Sequence, residues 1–125
     1  MTGSGWVAFL VAAGIGAPAR YLLDGWVQDR AHGAFPWGTF AVNVTGCAAF
    51  GALTGLGLYH DLSATARTVL GIGGLGAYTT FSTLTYETIH LVEEGALDVA
   101  ARNAVGSLLV GLAAASVGLA FTAAL

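Results

Sequence analysis

The chain has 125 residues, of which 56% are hydrophobic and only 9% are charged. Because soluble domains carry about 25% charged residues, this composition excludes a soluble globular domain and indicates an integral membrane protein. The formal net charge of −3 arises without any polybasic segment, so we expect no nucleic-acid partner and no electrostatic attachment to anionic lipid.

Four uncharged stretches separate the charged residues, and each has about the length that a helix needs to cross a bilayer. They comprise residues 1–19, 31–60, 68–86 and 103–125, near the roughly 20 residues that span the hydrocarbon. The first lacks the basic start of a secretory signal, so we interpret it as a retained helix. The sequence therefore predicts an all-α membrane protein with a single transmembrane domain (1–125) and four helices at roughly 5–23, 38–59, 68–91 and 101–124.

Glycine is concentrated in the third predicted helix, at positions Gly71, Gly73, Gly74 and Gly76. Each glycine lowers helix stability by about 1 kcal/mol relative to alanine, and Thr79 and Thr80 follow. We therefore predict a break near residues 76–79, which would free backbone carbonyls of the kind that bind ions in broken membrane helices. A kinked helix packed against a neighbour is the alternative.

Hydroxyl side chains surround Phe81 just after this predicted break, at Thr79, Thr80, Ser82, Thr83 and Thr85. Hydroxyl donors and the partly positive edge of an aromatic ring suit an anion. Alternatively, each hydroxyl bonds back to a carbonyl one turn earlier, as Ser and Thr often do in membrane helices. Because so many hydroxyls lie together, we expect some of them to face a wet path.

Two further stripes of polar or small residues occur at helical spacing, on the second helix (Thr39, Asn43, Gly46, Phe50) and on the fourth (Asn103, Ser107, Gly111). Glycine on both helices permits close backbone approach. Four helices are too few to surround an ion pathway on all sides, so the sequence favours an oligomer. The lone Cys47 forms no disulfide framework, and we interpret it as a small buried hydrophobe.

The basic residues give a weak prediction of orientation. Arg20, Arg30 and Arg102 lie on one predicted side and Arg67 on the other. So small a bias under the positive-inside rule favours insertion in either orientation.

Three blocks of this sequence resemble the Fluc/CrcB fluoride channel family. The first is a Gly-x-Gly-Ala-x-x-Arg-Tyr type pattern that ends at Arg20 and Tyr21. The second is the stretch 37–46, Trp-Gly-Thr-Phe-Ala-Val-Asn-Val-Thr-Gly. The third is the Thr-Thr-Phe-Ser-Thr run at 79–83, followed by Glu87. The blocks keep their order, and the resemblance covers nearly the whole chain.

The resemblance implies an antiparallel, dual-topology dimer with two narrow fluoride pores and a structural sodium ion at the centre of the dimer interface. The main-chain carbonyls of Gly76 and Thr79 would bind the sodium, and Arg20 would lie near the entrance. We assign seven residues to the fluoride path, from the resemblance and from the hydroxyl pattern: Thr39, Asn43, Thr80, Phe81, Ser82, Thr83 and Ser107.

The function that this resemblance implies is passive export of cytoplasmic fluoride through a multi-pass protein of the plasma membrane, which relieves fluoride toxicity. Leu84 stands where the family usually has a second Phe, Asn103 where a Tyr is common and Ala77 where a Gly is usual. An alternative is therefore half of a heterodimer with a paralogous subunit, which does not conduct alone.

Two other function classes fit the residues less well. A small proton-coupled multidrug transporter needs a titratable carboxylate inside the membrane, and the first helix has none before Arg20. An enzyme needs a nucleophile and base or a metal cluster, which these residues do not supply. We therefore expect no enzymatic activity.

Overall fold

A computed structural model describes all 125 residues, and every regular element is a helix. The elements are α1 (Gly3–Gln28), α2 (Trp37–Tyr59), α3 (64–78), α4 (Phe81–Glu93) and α5 (Leu97–Ala123). Within α3, residues Thr68–Leu75 form a π-helix, as do residues Arg102–Gly106 within α5. The prediction of an all-α fold is confirmed.

Three helices, α1, α2 and α5, are long and apolar enough to cross a membrane. The third predicted passage is divided between α3 and α4, which are separated by Thr79 and Thr80. Both residues have extended backbone, with φ and ψ of −78° and 161° at Thr79 and −146° and 121° at Thr80. The polypeptide therefore leaves the helical path for two residues and then begins a new helix at Phe81.

Glycines bring the backbones of α2 and α5 into direct contact. A Cβ atom at Gly51 would collide with the carbonyl group of Ala115, and one at Gly118 would collide with the carbonyl group of Ala48. Small residues at such positions are the usual means by which membrane helices approach closely. The α2–α5 pair is therefore the structural centre of the chain.

Two glycines of α3, Gly73 and Gly74, serve a similar purpose against α1, and all four glycines of α3 are helical. A Cβ at Gly16 of α1 would collide with the carbonyl oxygen of Gly74, and a Cβ at Gly73 would lie 3.0 Å from the carbonyl oxygen of Phe9. The cost of glycine in a helix is thus offset by close packing. The departure from helix occurs later, at Thr79 and Thr80.

The first helix extends to Gln28, beyond its predicted end at residue 23. The side-chain oxygen of Gln28 accepts a hydrogen bond from the Gly38 amide at 3.2 Å, and Asp24 lies against Gly38. These contacts join the end of α1 to the start of α2, which stabilises the additional turn. Arg20 consequently lies well inside α1 rather than at its edge.

Candidate functional site

The side chain of Asn43 bonds to both backbone groups of Thr80. Its Nδ2 donates to the Thr80 carbonyl at 2.8 Å, and its Oδ1 accepts from the Thr80 amide at 2.8 Å. Thr80 is buried and non-helical, so without Asn43 these two groups would have no partner from a continuing helix. The amide has a second Nδ2 hydrogen, which leaves one donor for another acceptor.

The C-terminal end of α3 presents backbone carbonyls. The Thr79 amide and the Thr79 hydroxyl both donate to the Leu75 carbonyl, each at 2.9 Å, and the Thr80 amide donates to Asn43. Neither amide therefore reaches the Gly76 carbonyl, which a continuing helix would have paired with Thr80. The Thr79 carbonyl accepts from Nη1 of Arg20 at 3.4 Å.

A group of hydroxyls surrounds the start of α4. The Thr80 hydroxyl accepts from the Thr83 amide at 3.1 Å, donates to the Thr83 hydroxyl at 2.9 Å and lies 3.3 Å from the Ser82 hydroxyl. Thr80 is thus the N-cap of α4. The Thr85 hydroxyl instead bonds back to the carbonyls of Phe81 and Ser82 at 3.0 and 2.9 Å.

A groove of about 550 Å³ runs beside these residues, between α2, α4 and α5. Phe81 and Leu84 both line it, and the Phe81 side chain is 78% exposed. The polar residues that line the groove are Asn43, Cys47, Thr79, Thr80, Thr85, Thr88 and Ser107. The groove thus combines hydroxyls and an amide with an apolar wall, and one side of it is open.

The stripe predicted on α2 follows the length of α3 and α4. Thr39 is only 2% exposed and donates to Oε1 of Glu87 at 2.8 Å. Asn43 holds Thr80, a Cβ at Gly46 would collide with the methyl group of Thr79, and Phe50 lies beside Gly71. One face of α2 therefore positions the whole region around the extended residues.

The stripe on α5 faces the same region. Asn103 is 0% exposed, and its Nδ2 donates to the Thr88 hydroxyl at 3.0 Å. Ser107 is 8% exposed, and its buried hydroxyl has no hydrogen-bond partner. Buried polar atoms nearly always have a partner, so the Ser107 hydroxyl, which lies beneath the surface of the groove, is an exception.

Four of the seven residues assigned to the fluoride path from sequence line this groove, namely Asn43, Thr80, Phe81 and Ser107. Ser82 and Thr83 lie beside Thr80 at the start of α4 but are not part of the lining. Thr39 lies outside the groove, near the start of α2, where it bonds to Glu87.

Two polar contacts near the groove were not predicted from the sequence. Thr88 lines the groove and joins α4 to Asn103, and its hydroxyl also donates to the Leu84 carbonyl at 2.7 Å. The hydroxyls of Thr45 and Tyr78 lie 2.8 Å apart and connect α2 to the end of α3. Thr88 could have been found from the sequence, because it lies one helical turn after Leu84 and therefore on the same face of α4. The Thr45–Tyr78 contact could not, because it depends on how α2 packs against α3.

Comparison with known proteins assigns the chain to a family. The family model described as CrcB-like protein, Camphor Resistance (CrcB), matches residues 7–119. The chain belongs to the CrcB family.

Curated relatives of this CrcB protein are similar over nearly their whole length. A protein of Streptomyces avermitilis named fluoride-specific ion channel FluC 1 is 48% identical over 120 residues, which cover 96% of this chain and 97% of the relative. One of the same name from Rubrobacter xylanophilus is 50% identical over 109 residues, covering 87% and 86%. A fluoride-specific ion channel FluC of Acidobacterium capsulatum is 43% identical over 115 residues, covering 91% and 90%.

Proposed function

We propose that this CrcB protein is a fluoride-selective channel through which cytoplasmic fluoride leaves the cell passively, across the plasma membrane. The observation that carries the proposal is the groove beside Asn43 and Thr80, in a chain whose relatives are named fluoride-specific ion channels. Passive export requires that the electrochemical gradient of fluoride be directed out of the cell, and the protein then needs no energy source.

The chemistry of the groove supports a small anion. The first turn of α4 has backbone amides without helical partners, and its dipole favours negative charge. The Phe81 ring edge and the free Nδ2 hydrogen of Asn43 lie along the same groove, and the unpaired Ser107 hydroxyl is buried just behind its surface. Together they replace part of the hydration shell that fluoride loses on entry, while Arg20 attracts anions towards the same region.

A second copy of the chain would close the groove. Phe81 is 78% exposed and the groove is open along one side, whereas a narrow ion path needs a wall all round. An antiparallel dimer, in which the two copies insert in opposite orientations, supplies that wall and agrees with the weak arginine bias. We propose this dual-topology dimer, either as a homodimer or with a paralogous subunit.

The carbonyl groups near the extended residues suit a structural sodium ion. The Gly76 carbonyl has lost its helical donor, and it lies at the negative C-terminal end of α3. The Thr79 carbonyl has a second lone pair beyond the one directed at Arg20. Carbonyl oxygens at broken helices are suitable ligands for sodium, and two copies of the chain would contribute four of them.

Leu84 supports the alternative in which this chain is one half of a heterodimer. It lines the groove beside Phe81, and an aliphatic side chain offers no ring edge to an anion. A partner chain that supplies the second ring would then complete the path.

Replacement of Leu84 by Phe separates the two alternatives. If the homodimer lacks an anion contact here, we expect Leu84→Phe to start fluoride efflux in liposomes where the unmodified chain alone shows none. Leu84→Met is the control, since it keeps an apolar, non-aromatic side chain of similar volume. If the unmodified chain alone releases fluoride as fast as Leu84→Phe does, the path does not need a second ring.

Export itself is tested in a bacterium that lacks its own fluoride exporter. We expect expression of the chain, alone or with a paralogous partner, to restore growth in fluoride, whereas a variant with a disrupted groove expressed at the same level does not. If growth stays sensitive to fluoride both with the chain alone and with the chain and its partner, the proposal is contradicted.

A further inference from the structure

A second depression of the surface, separate from the groove, lies between α2 and the start of α3. Its volume is about 310 Å³, and we call it the Arg67 cleft after the one charged residue in its lining. Its polar lining includes Thr68, and its apolar wall is formed by Phe50, Leu53 and Ile72. None of these residues lines the groove of the candidate site, so the proposed fluoride path leaves the Arg67 cleft without a role.

Arg67 is the one arginine of the chain that makes no bond to the rest of the protein. The other three donate to carbonyl or carboxylate oxygens, namely Arg20, Arg30 and Arg102. Arg67 has neither a hydrogen bond nor a salt bridge, and its side chain is exposed. All five N–H donors of its guanidinium are therefore free for a ligand that accepts hydrogen bonds.

Gly57 of α2 determines where the Arg67 side chain lies. A Cβ atom at Gly57 would collide with Cδ of Arg67 and would lie 3.1 Å from its Nε and 3.2 Å from its Nη1. The arginine therefore crosses α2 at a position that glycine leaves open. Gly57 lies near the end of α2 at Tyr59, and Arg67 lies in the first turn of α3. The guanidinium is thus held at the outer end of the cleft, near the membrane surface.

Polarity decreases along the cleft from this outer end towards the middle of the membrane. Thr68 follows Arg67 directly, and Ile72 lies one turn farther along α3. Phe50, about two turns before Gly57 on α2, forms the inner end. The side chains of Ile72 and Phe50 are 65% and 52% exposed, so they offer an apolar surface without a partner in this chain. Cation, hydroxyl and hydrocarbon thus occur in the same order as the phosphate, glycerol ester and acyl chain of a phospholipid.

We propose that the Arg67 cleft binds one molecule of an anionic phospholipid, with the phosphate on the guanidinium and an acyl chain along Ile72 and Phe50. A guanidinium can form two parallel N–H···O bonds to a phosphate, and the charge of the headgroup complements that of the unpaired arginine. This site differs from the electrostatic attachment that the lack of a polybasic segment argues against, because one cation and an apolar surface act on a single lipid. It does not rest on the proposed function, since its test uses no fluoride.

Native mass spectrometry of the purified chain measures bound lipid directly. The chain is mixed with equal amounts of phosphatidylglycerol and phosphatidylcholine that have the same acyl chains. We expect one phosphatidylglycerol per chain, and about fivefold weaker binding of phosphatidylcholine, which has no net charge. Glycerol phosphate, which offers the phosphate without acyl chains, should not displace the bound lipid.

Two pairs of variants locate the site. Arg67→Gln should weaken the binding of phosphatidylglycerol about fivefold, whereas Arg102→Gln removes an arginine already paired with Asp98 and should leave binding unchanged. Gly57→Ala should weaken binding to a similar extent without any change of charge, because the added methyl group displaces the Arg67 side chain. Gly106→Ala is its control, since a Cβ there meets nothing within 4 Å.

Thermal unfolding in detergent shows whether each variant is folded. Arg67→Gln should unfold at the temperature of the unmodified chain, because Arg67 makes no bond within the protein. The inference is overturned if Arg67→Gln binds phosphatidylglycerol as tightly as the unmodified chain, if Arg102→Gln weakens binding equally, or if phosphatidylcholine or glycerol phosphate competes equally well. Retention of the lipid by the monomer but not by a dimer would also overturn it, because a second copy of the chain would then cover the cleft.

Discussion

Replacement of Asn43 by aspartate is expected to abolish fluoride efflux and to lower the free energy of unfolding by about 3 kcal/mol. The Asn43 side chain bonds to the Thr80 carbonyl and the Thr80 amide, each at 2.8 Å. In Asn43→Asp, an oxygen replaces the Nδ2 donor, so two acceptors face each other. The new carboxylate also repels an anion in the groove. Fluoride efflux and thermal unfolding in detergent measure the two effects.

Thr54→Val is the matched control for this experiment. Thr54 lies on the same helix, but its exposed hydroxyl bonds only to the Phe50 carbonyl of its own helix. Its removal should leave both efflux and stability close to those of the unmodified chain. If Asn43→Asp conducts fluoride at the unmodified rate, then Asn43 does not hold Thr80 in its functional position.

Replacement of Gly118 by alanine is expected to destabilise the fold about as strongly as Asn43→Asp does. The added methyl group would collide with the Ala48 carbonyl oxygen and lie 2.9 Å from the Ala52 amide nitrogen. These are backbone atoms of α2, so they cannot move aside as a flexible side chain would. Separation of α2 from α5 should cost about 3 kcal/mol of folding free energy, measured by resistance to unfolding in a denaturing detergent.

The same substitution elsewhere on α5 provides the control. A Cβ at Gly106 would meet nothing within 4 Å. Gly106→Ala should therefore preserve stability, or raise it slightly through the better helix propensity of alanine. Equal destabilisation by the two substitutions would show that the α2–α5 backbone contact is not what stabilises the chain.

Much of the fold follows from patterns that are local in sequence. Uncharged stretches of membrane-spanning length predicted the existence of α1, α2 and α5, and both ends of α2 to within one residue, because burial in hydrocarbon constrains composition. The end of α1 was harder to predict. Gln28 and Asp24 interact with Gly38 across the loop, and a contact between two helices leaves no signal in the hydropathy of either.

The candidate site shows a similar division. The interval from Thr39 to Asn43 to Gly46 predicted one face of α2, and that face does follow α3 and α4. The conformation of Thr79 and Thr80 did not follow from the glycines, which remain helical; Gly73 and Gly74 pack against α1, and Gly71 packs against α2. It depends on bonds from Asn43 and Arg20, which lie far away in sequence.

The most direct test of the proposed function is ion efflux from liposomes that contain the purified chain. Liposomes loaded with potassium fluoride are diluted into a medium of low fluoride and potassium, and valinomycin is added to let potassium leave. Passive, selective conduction predicts rapid fluoride release that begins with valinomycin, and no chloride release above that of protein-free liposomes loaded with potassium chloride. Absence of fluoride release, both from the chain alone and with a paralogous partner, or equal release of chloride, would contradict it.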